Sequence, residues 1–66
     1  MNREANKRTL ERFNTHRDSN GVTFQFLSKQ VGLHYNNISK WRANKMQFSL
    51  DTLRRIENYI DAKEGK

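Results

Sequence analysis

Apolar positions recur at helical spacing in four stretches of the 66-residue chain. In the first, about residues 3–17, Ala5, Leu10 and Phe13 form a narrow stripe among charges. Glu4 and Arg8, and Lys7 and Glu11, are opposite-sign neighbours one helical turn apart. Asp18-Ser19-Asn20-Gly21 then reads as a stop, with Gly21 suited to a positive φ. Thr23 is placed to cap a second helix over about 24–31, which turns Leu27 and Val31 inward and ends at Gly32. A third, about 35–43, buries Ile38 and Trp41, and Asn44 is a residue that accepts a left-handed end. Ser49 caps a fourth over about 49–61, with Asp51 in its first turn and a stripe of Leu50, Leu53, Ile56 and Ile60. Residues 62–66 are expected to fray. The pattern predicts an all-α fold of four helices in a single domain spanning 1–66.

Composition narrows this further. An apolar share of 33% makes a thin core, and a chain of this size is marginal on its own. With no cysteine, neither a disulfide nor a cysteine-ligated zinc site can reinforce it. The missing cysteine also fits a reducing compartment. Apolar runs never exceed two residues, which excludes a membrane-spanning helix or a signal-peptide core.

Charge points to a partner. The chain carries 13 basic and 7 acidic side chains, a net charge of +6. From Ser19 to Leu50 there is no acid, while Lys29, Lys40, Arg42 and Lys45 all lie there. The positive field therefore belongs to the middle of the chain, and nucleic acid is the commonest partner of such a surface.

The two short central helices, joined through Val31-Gly32-Leu33, have the spacing of a helix-turn-helix. Leu27, Val31 and Ile38 meet at the crossing, and Ser28 supplies the small side chain needed where the helices come closest. Trp41 is assigned to the core by its spacing with Ile38. Phe24 and Phe26 are two apart and cannot both face inward, so one is exposed, at a protein interface or against the nucleic-acid backbone. His16, Arg54 and Arg55 read as solvated. All seven acids lie on the balanced flanks, and no nucleophile has a base partner. Two histidines without cysteine make a poor metal site. No enzyme, metal or cofactor is expected, and no ligand-sized pocket.

From about Leu10 to Ile60 the chain resembles the Cro and repressor family of phage and bacterial helix-turn-helix domains. The carrying residues are Gly21-Val22-Thr23, Leu27-Ser28, Val31-Gly32-Leu33, Ile38-Ser39-Lys40-Trp41 and Ser49-Leu50-Asp51-Thr52-Leu53-Arg54-Arg55-Ile56. The resemblance implies a lambda-repressor-like domain that regulates transcription in a bacterial or phage-infected cytoplasm. Its third helix would enter the major groove of a double-stranded operator. Carried over by position, Tyr35, Asn36, Asn37 and Lys40 would read bases. Thr23, Gln25, His34, Arg42, Asn44 and Lys45 would hold phosphates, with His34 alternatively capping the third helix. Asparagine pairs two-pronged with adenine, and lysine donates to guanine acceptors.

The sequence also departs from that family. Phe24 replaces a common glutamine that binds phosphate and braces the recognition helix. Asn44 replaces a common glycine, and a proline near Phe48 is missing, which should loosen the loop. Some phage repressors pair an arginine of the first helix with a glutamate after the third. Arg17 and Arg42 occupy those positions here, so that ion pair cannot form. The usual fifth helix, which assists dimerisation, is absent from the pattern, so a homodimer on DNA is an open expectation.

Two other readings compete. A small modulator could bind a larger repressor or another protein through Phe24 or Phe26. A homeodomain-like reader would require the third helix to continue through Lys45.

Overall fold

A computed structural model describes residues 3–65 and contains, among them, four helices and no strand. The helices are α1 (Arg3–Asn20), α2 (Phe24–Val31), α3 (Tyr35–Arg42) and α4 (Leu50–Lys63). They pack into a body of 29 × 23 × 18 Å. α1 lies against α4, and α2 packs on both α3 and α4.

The chemistry of the helix ends explains the boundaries. The Thr23 hydroxyl accepts from the Phe26 N–H at 3.0 Å, and the Ser49 hydroxyl from the Thr52 N–H at 3.3 Å. Gly32 adopts φ +74°, and the Leu33 N–H reaches back to the Ser28 carbonyl at 2.9 Å. Asn44 takes φ +63°, letting the Lys45 N–H bond the Lys40 carbonyl at 2.8 Å. The third helix therefore stops at Arg42, which excludes the homeodomain-like continuation.

Two ends run further than the sequence pattern suggests. α1 continues to Asn20, where the Asn20 amide donates to the His16 carbonyl at 2.8 Å. The turn then breaks at Gly21, φ +63°. α4 keeps Ala62 and Lys63 helical. Buried Ile60 anchors that end, and Arg12 holds Asp61 and Glu64 beside it. Of the expected frayed tail, Lys66 lies outside the described residues.

The core is Phe13, Leu27, Val31, Ile38, Trp41, Phe48, Leu53, Ile56 and Ile60. Trp41 meets Phe13 edge-on, with centroids 5.5 Å apart, and Phe48 at 4.9 Å. Leu50 is the exception to the α4 stripe. As the first residue of the helix it projects past the end of the core and is 56% exposed.

The first helix buries a different face from the one hydropathy marks. Asn6, Thr9, Phe13 and His16 are buried, while Ala5 and Leu10 pack only partly against the core. The buried side chains of Asn6, Thr9 and His16 each have a partner, as burial requires. The Asn6 side-chain carbonyl accepts from the Trp41 indole at 2.9 Å and from the Phe48 N–H at 2.8 Å. Its amide donates to the Phe48 carbonyl at 3.0 Å. Asn6 thus holds the α3–α4 loop where the missing proline would leave it loose. The Thr9 hydroxyl donates to Glu57 at 2.7 Å. His16 is not solvated as expected: it lies edge-on to Tyr59 and bonds Asn20.

Candidate nucleic-acid interface

The crossing of α2 and α3 fixes how α3 is presented. Leu27 and Val31 of α2 and Ile38 and Trp41 of α3 are buried together, so one side of the third helix is fully committed to the core. Ser28 is buried at the close approach, its hydroxyl donating to the Gln25 carbonyl at 2.7 Å. The outer side is left with Tyr35, Asn36 and Lys40 exposed and Asn37 half-buried. Tyr35 is 40% exposed although it is aromatic. An eight-residue helix is about 12 Å long, comparable to the width of a B-DNA major groove.

The other candidates gather at the rims of this surface. Thr23 and Gln25 are exposed at the start of α2. With Phe26 N–H taken by Thr23, the N–H groups of Phe24 and Gln25 are those a helix start offers to an anion. Asn44 and Lys45 are exposed beyond the end of α3. His34 occupies the cap position of α3, yet its side chain makes no capping bond; the Asn37 and Ile38 N–H groups bond its backbone carbonyl instead. The imidazole is therefore exposed and free to face a partner, so the capping alternative does not hold.

Arg42 has a specific seat. Its guanidinium lies 3.6 Å from the centroid of the Phe24 ring, and Arg17 lies 4.9 Å from the same centroid. Phe24 in turn stacks on Phe13, with centroids 5.6 Å apart. Phe24 is thus half-buried and covered, and of the two phenylalanines Phe26, 45% exposed, is the one left open. Of the two residues, Phe26 is the more open to the interface role expected for either. The Arg17–Arg42 ion pair is indeed impossible, and an aromatic ring has taken its place.

Arg55 was legible only as a solvated cation. It reaches from α4 to the Val31 and Gly32 carbonyls, at 3.4 and 3.5 Å. A cation at the negative end of α2 is favourable there and ties α4 to the central turn.

Three of the acids gather elsewhere, around Arg12. Arg12 bonds Glu57, reaches Asp61 at 2.8 Å and touches Glu64 at 3.4 Å. The bond to Asp61 raises the Arg12 pKa above the ordinary arginine value, against the opposing effect of burial and with support from Glu57. Two open grooves amend the expectation of no ligand-sized pocket. One, about 320 Å³, is lined by Asn6, Leu10, Trp41 and Asn44 among others. The second, about 460 Å³, is lined by Ala5, Leu50, Leu53 and Arg54 among others.

The model of the Cro/C1-type helix-turn-helix DNA-binding domain family matches residues 16–65, well over half of the chain. The chain belongs to that family. The match opens in α1 and takes in all of α2, α3 and α4, including the turn and the rims described above. Comparison with curated proteins and with solved structures gave no significant match. A Cro/C1-type domain binds DNA and is typically not an enzyme. No described helix of this Cro/C1-type chain is long and apolar enough to cross a membrane.

Proposed function

We propose that this Cro/C1-type protein is a sequence-specific regulator of transcription, Cro-like or a repressor, that inserts α3 into the major groove of a double-stranded operator. One observation carries the reading. The outer side of α3 presents Tyr35, Asn36 and Lys40 on a helix locked from behind by Ile38 and Trp41, in a stretch without acids. Asn36, Lys40, Tyr35 and the half-buried Asn37 read bases. Thr23, Gln25, His34, Arg42, Asn44 and Lys45 hold phosphates on either rim and set register. The work is done in the bacterial cytoplasm or a phage-infected host.

Palindromic half-sites on one face of B-DNA lie about 34–36 Å apart. The longest dimension of the domain is 29 Å, so reading both requires two copies. The reading as a modulator of a larger repressor has Phe26 as its more open contact, and apolar side chains exposed singly are ordinary for a protein surface.

The decisive experiment selects genomic fragments with the purified protein at near-physiological salt and sequences them. A short recurrent site, palindromic if two copies bind, is the expected result. Recovery of unrelated fragments, with affinity collapsing as salt rises, would leave only counterion release and reject sequence reading.

A further inference from the structure

We propose that Arg17 and Arg42, both seated on the Phe24 ring, form a two-cation clamp for one backbone phosphate of duplex DNA, with Phe24 as its positioning residue. This rests on the DNA-binding reading and assigns two residues to it, Arg17 and Phe24, that the sequence placed elsewhere or nowhere. Two guanidinium groups share one ring, at 4.9 and 3.6 Å from its centroid. Each is attracted to the ring face, but they repel one another. Arg42 has no described acid bonded to it, and Arg17 has only its chain neighbour Asp18, at 3.1 Å and itself 70% exposed. Such a pair is stabilised most by an anion reaching both.

A second observation points the same way. The Arg17 Nε is buried and has no hydrogen-bond partner among the described residues. The side chain is nonetheless 42% exposed, so its other guanidinium donors face outward, where an acceptor can meet them. The ring itself is fixed, because Phe24 stacks on fully buried Phe13. Holding two flexible arginines in place before binding reduces the entropy lost when phosphate docks. The location is also right: Arg42 ends α3, and Arg17 precedes the turn that leads to the N-terminus of α2.

The test measures binding of the full chain to a fluorescent duplex across a series of salt concentrations. Arg17→Ala is expected to weaken binding to specific and arbitrary duplexes alike. The double variant Arg17→Ala/Arg42→Ala should lower the slope of log affinity against log salt by about 0.9, the value for one lost phosphate contact, whereas two separate phosphates would lower it by about 1.8. Phe24→Leu keeps both charges and an apolar contact to Phe13. It should weaken binding by about 2–5-fold, the size of a cation–π contact converted to affinity. In that background Arg42→Ala should cost less than it does in the natural chain. Melting curves confirm that each variant is folded, and if Phe24→Leu is not, the slope of the double arginine variant decides alone. Natural protein that binds no duplex overturns the DNA reading and the clamp together. Natural protein that binds, with the slope of the double variant unchanged or lowered by about 1.8, overturns the clamp alone. Equal cost of Arg42→Ala in both backgrounds removes Phe24 from it.

Discussion

Arg12 and Arg42 sit in opposite surroundings. Arg12 lies between α1 and α4 with Glu57, Asp61 and Glu64 around it, and its own side chain is 30% exposed. Arg42 ends the third helix, is exposed, and rests on an aromatic ring without a bonded acid. The charge of Arg12 is neutralised inside the molecule and holds α1 and α4 together. The charge of Arg42 is kept in place but left unanswered, which is the condition for attracting a polyanion. A net charge of +6 is therefore a poor guide by itself, because the arginines differ in what they are already paired with.

The harshest way to break the comparison is to remove the side chain that both regions lean on. Trp41 packs on Phe13 and Phe48 and donates to Asn6 of the first helix. Trp41→Ala should cost about 3–5 kcal/mol in urea unfolding, most or all of the stability of a domain this small. Both faces should be lost at once, with DNA binding disappearing because α3 is no longer held.

Asn6 is a smaller break at the same junction. Asn6→Ala leaves the buried Trp41 indole N–H and both Phe48 backbone groups without their partner. The expected cost is about 2–3 kcal/mol, from unmade buried hydrogen bonds and not from lost apolar area. Asn6→Leu, which restores apolar volume, should recover little of it. Recovery to the natural melting temperature would show that Asn6 only fills space.

The contrast between Trp41 and Asn6 also shows which parts of the fold a sequence displays. Trp41, Leu27, Val31, Ile38 and Ile56 were readable because apolar side chains at helical spacing have one reasonable place to go. The caps at Thr23, Ser49, Gly32 and Asn44 were readable because few residues satisfy those backbone conformations. Asn6, Thr9 and His16 were not, since hydropathy places such residues in water. Their burial depends on partners 35 to 48 residues away, at Trp41 and Glu57, for Asn6 and Thr9. One trace was present: positions 6, 9, 13 and 16 repeat at helical intervals around Phe13. The candidate site was legible as a face, since Tyr35, Asn36 and Lys40 follow directly from which side Ile38 and Trp41 bury. The seat of Arg42 was not, because it depends on where the ring of Phe24 points.

On the unanswered face, the comparison sharpens through two lysines. Lys40 is exposed in the body of α3, and Lys45 lies beyond its end. Lys40→Ala should change which operator base matters, by about 1–3 kcal/mol at that position, with no change in melting temperature. Lys45→Ala should weaken all duplexes alike and lower the salt slope by about one. Uniform loss in both variants, measured by competition among operator variants, would mean that Lys40 touches phosphate and that the reading helix lies differently in the groove.

The smallest effect tests the neutralised side. Arg12→Ala removes a guanidinium from three acids that are each a quarter to two fifths exposed. Water screens such pairs, so the cost should be about 1 kcal/mol, well below what three separate pairs would suggest. The sign with pH follows from the raised pKa of Arg12. A base whose pKa is higher folded than unfolded contributes fully below the unfolded value and loses that contribution only as pH rises through the folded one. Its own titration therefore imposes no pH dependence in the range where arginine stays charged. Salt is the lever that should act instead, and the gap between the natural protein and Arg12→Ala should narrow as salt is raised. DNA affinity should stay within twofold, because the positive charge removed was already spent on Glu57, Asp61 and Glu64. A large loss of DNA affinity in folded Arg12→Ala would show that the two sides are not separate after all and that the field of the whole molecule, not the α2–α3 face, draws in the duplex.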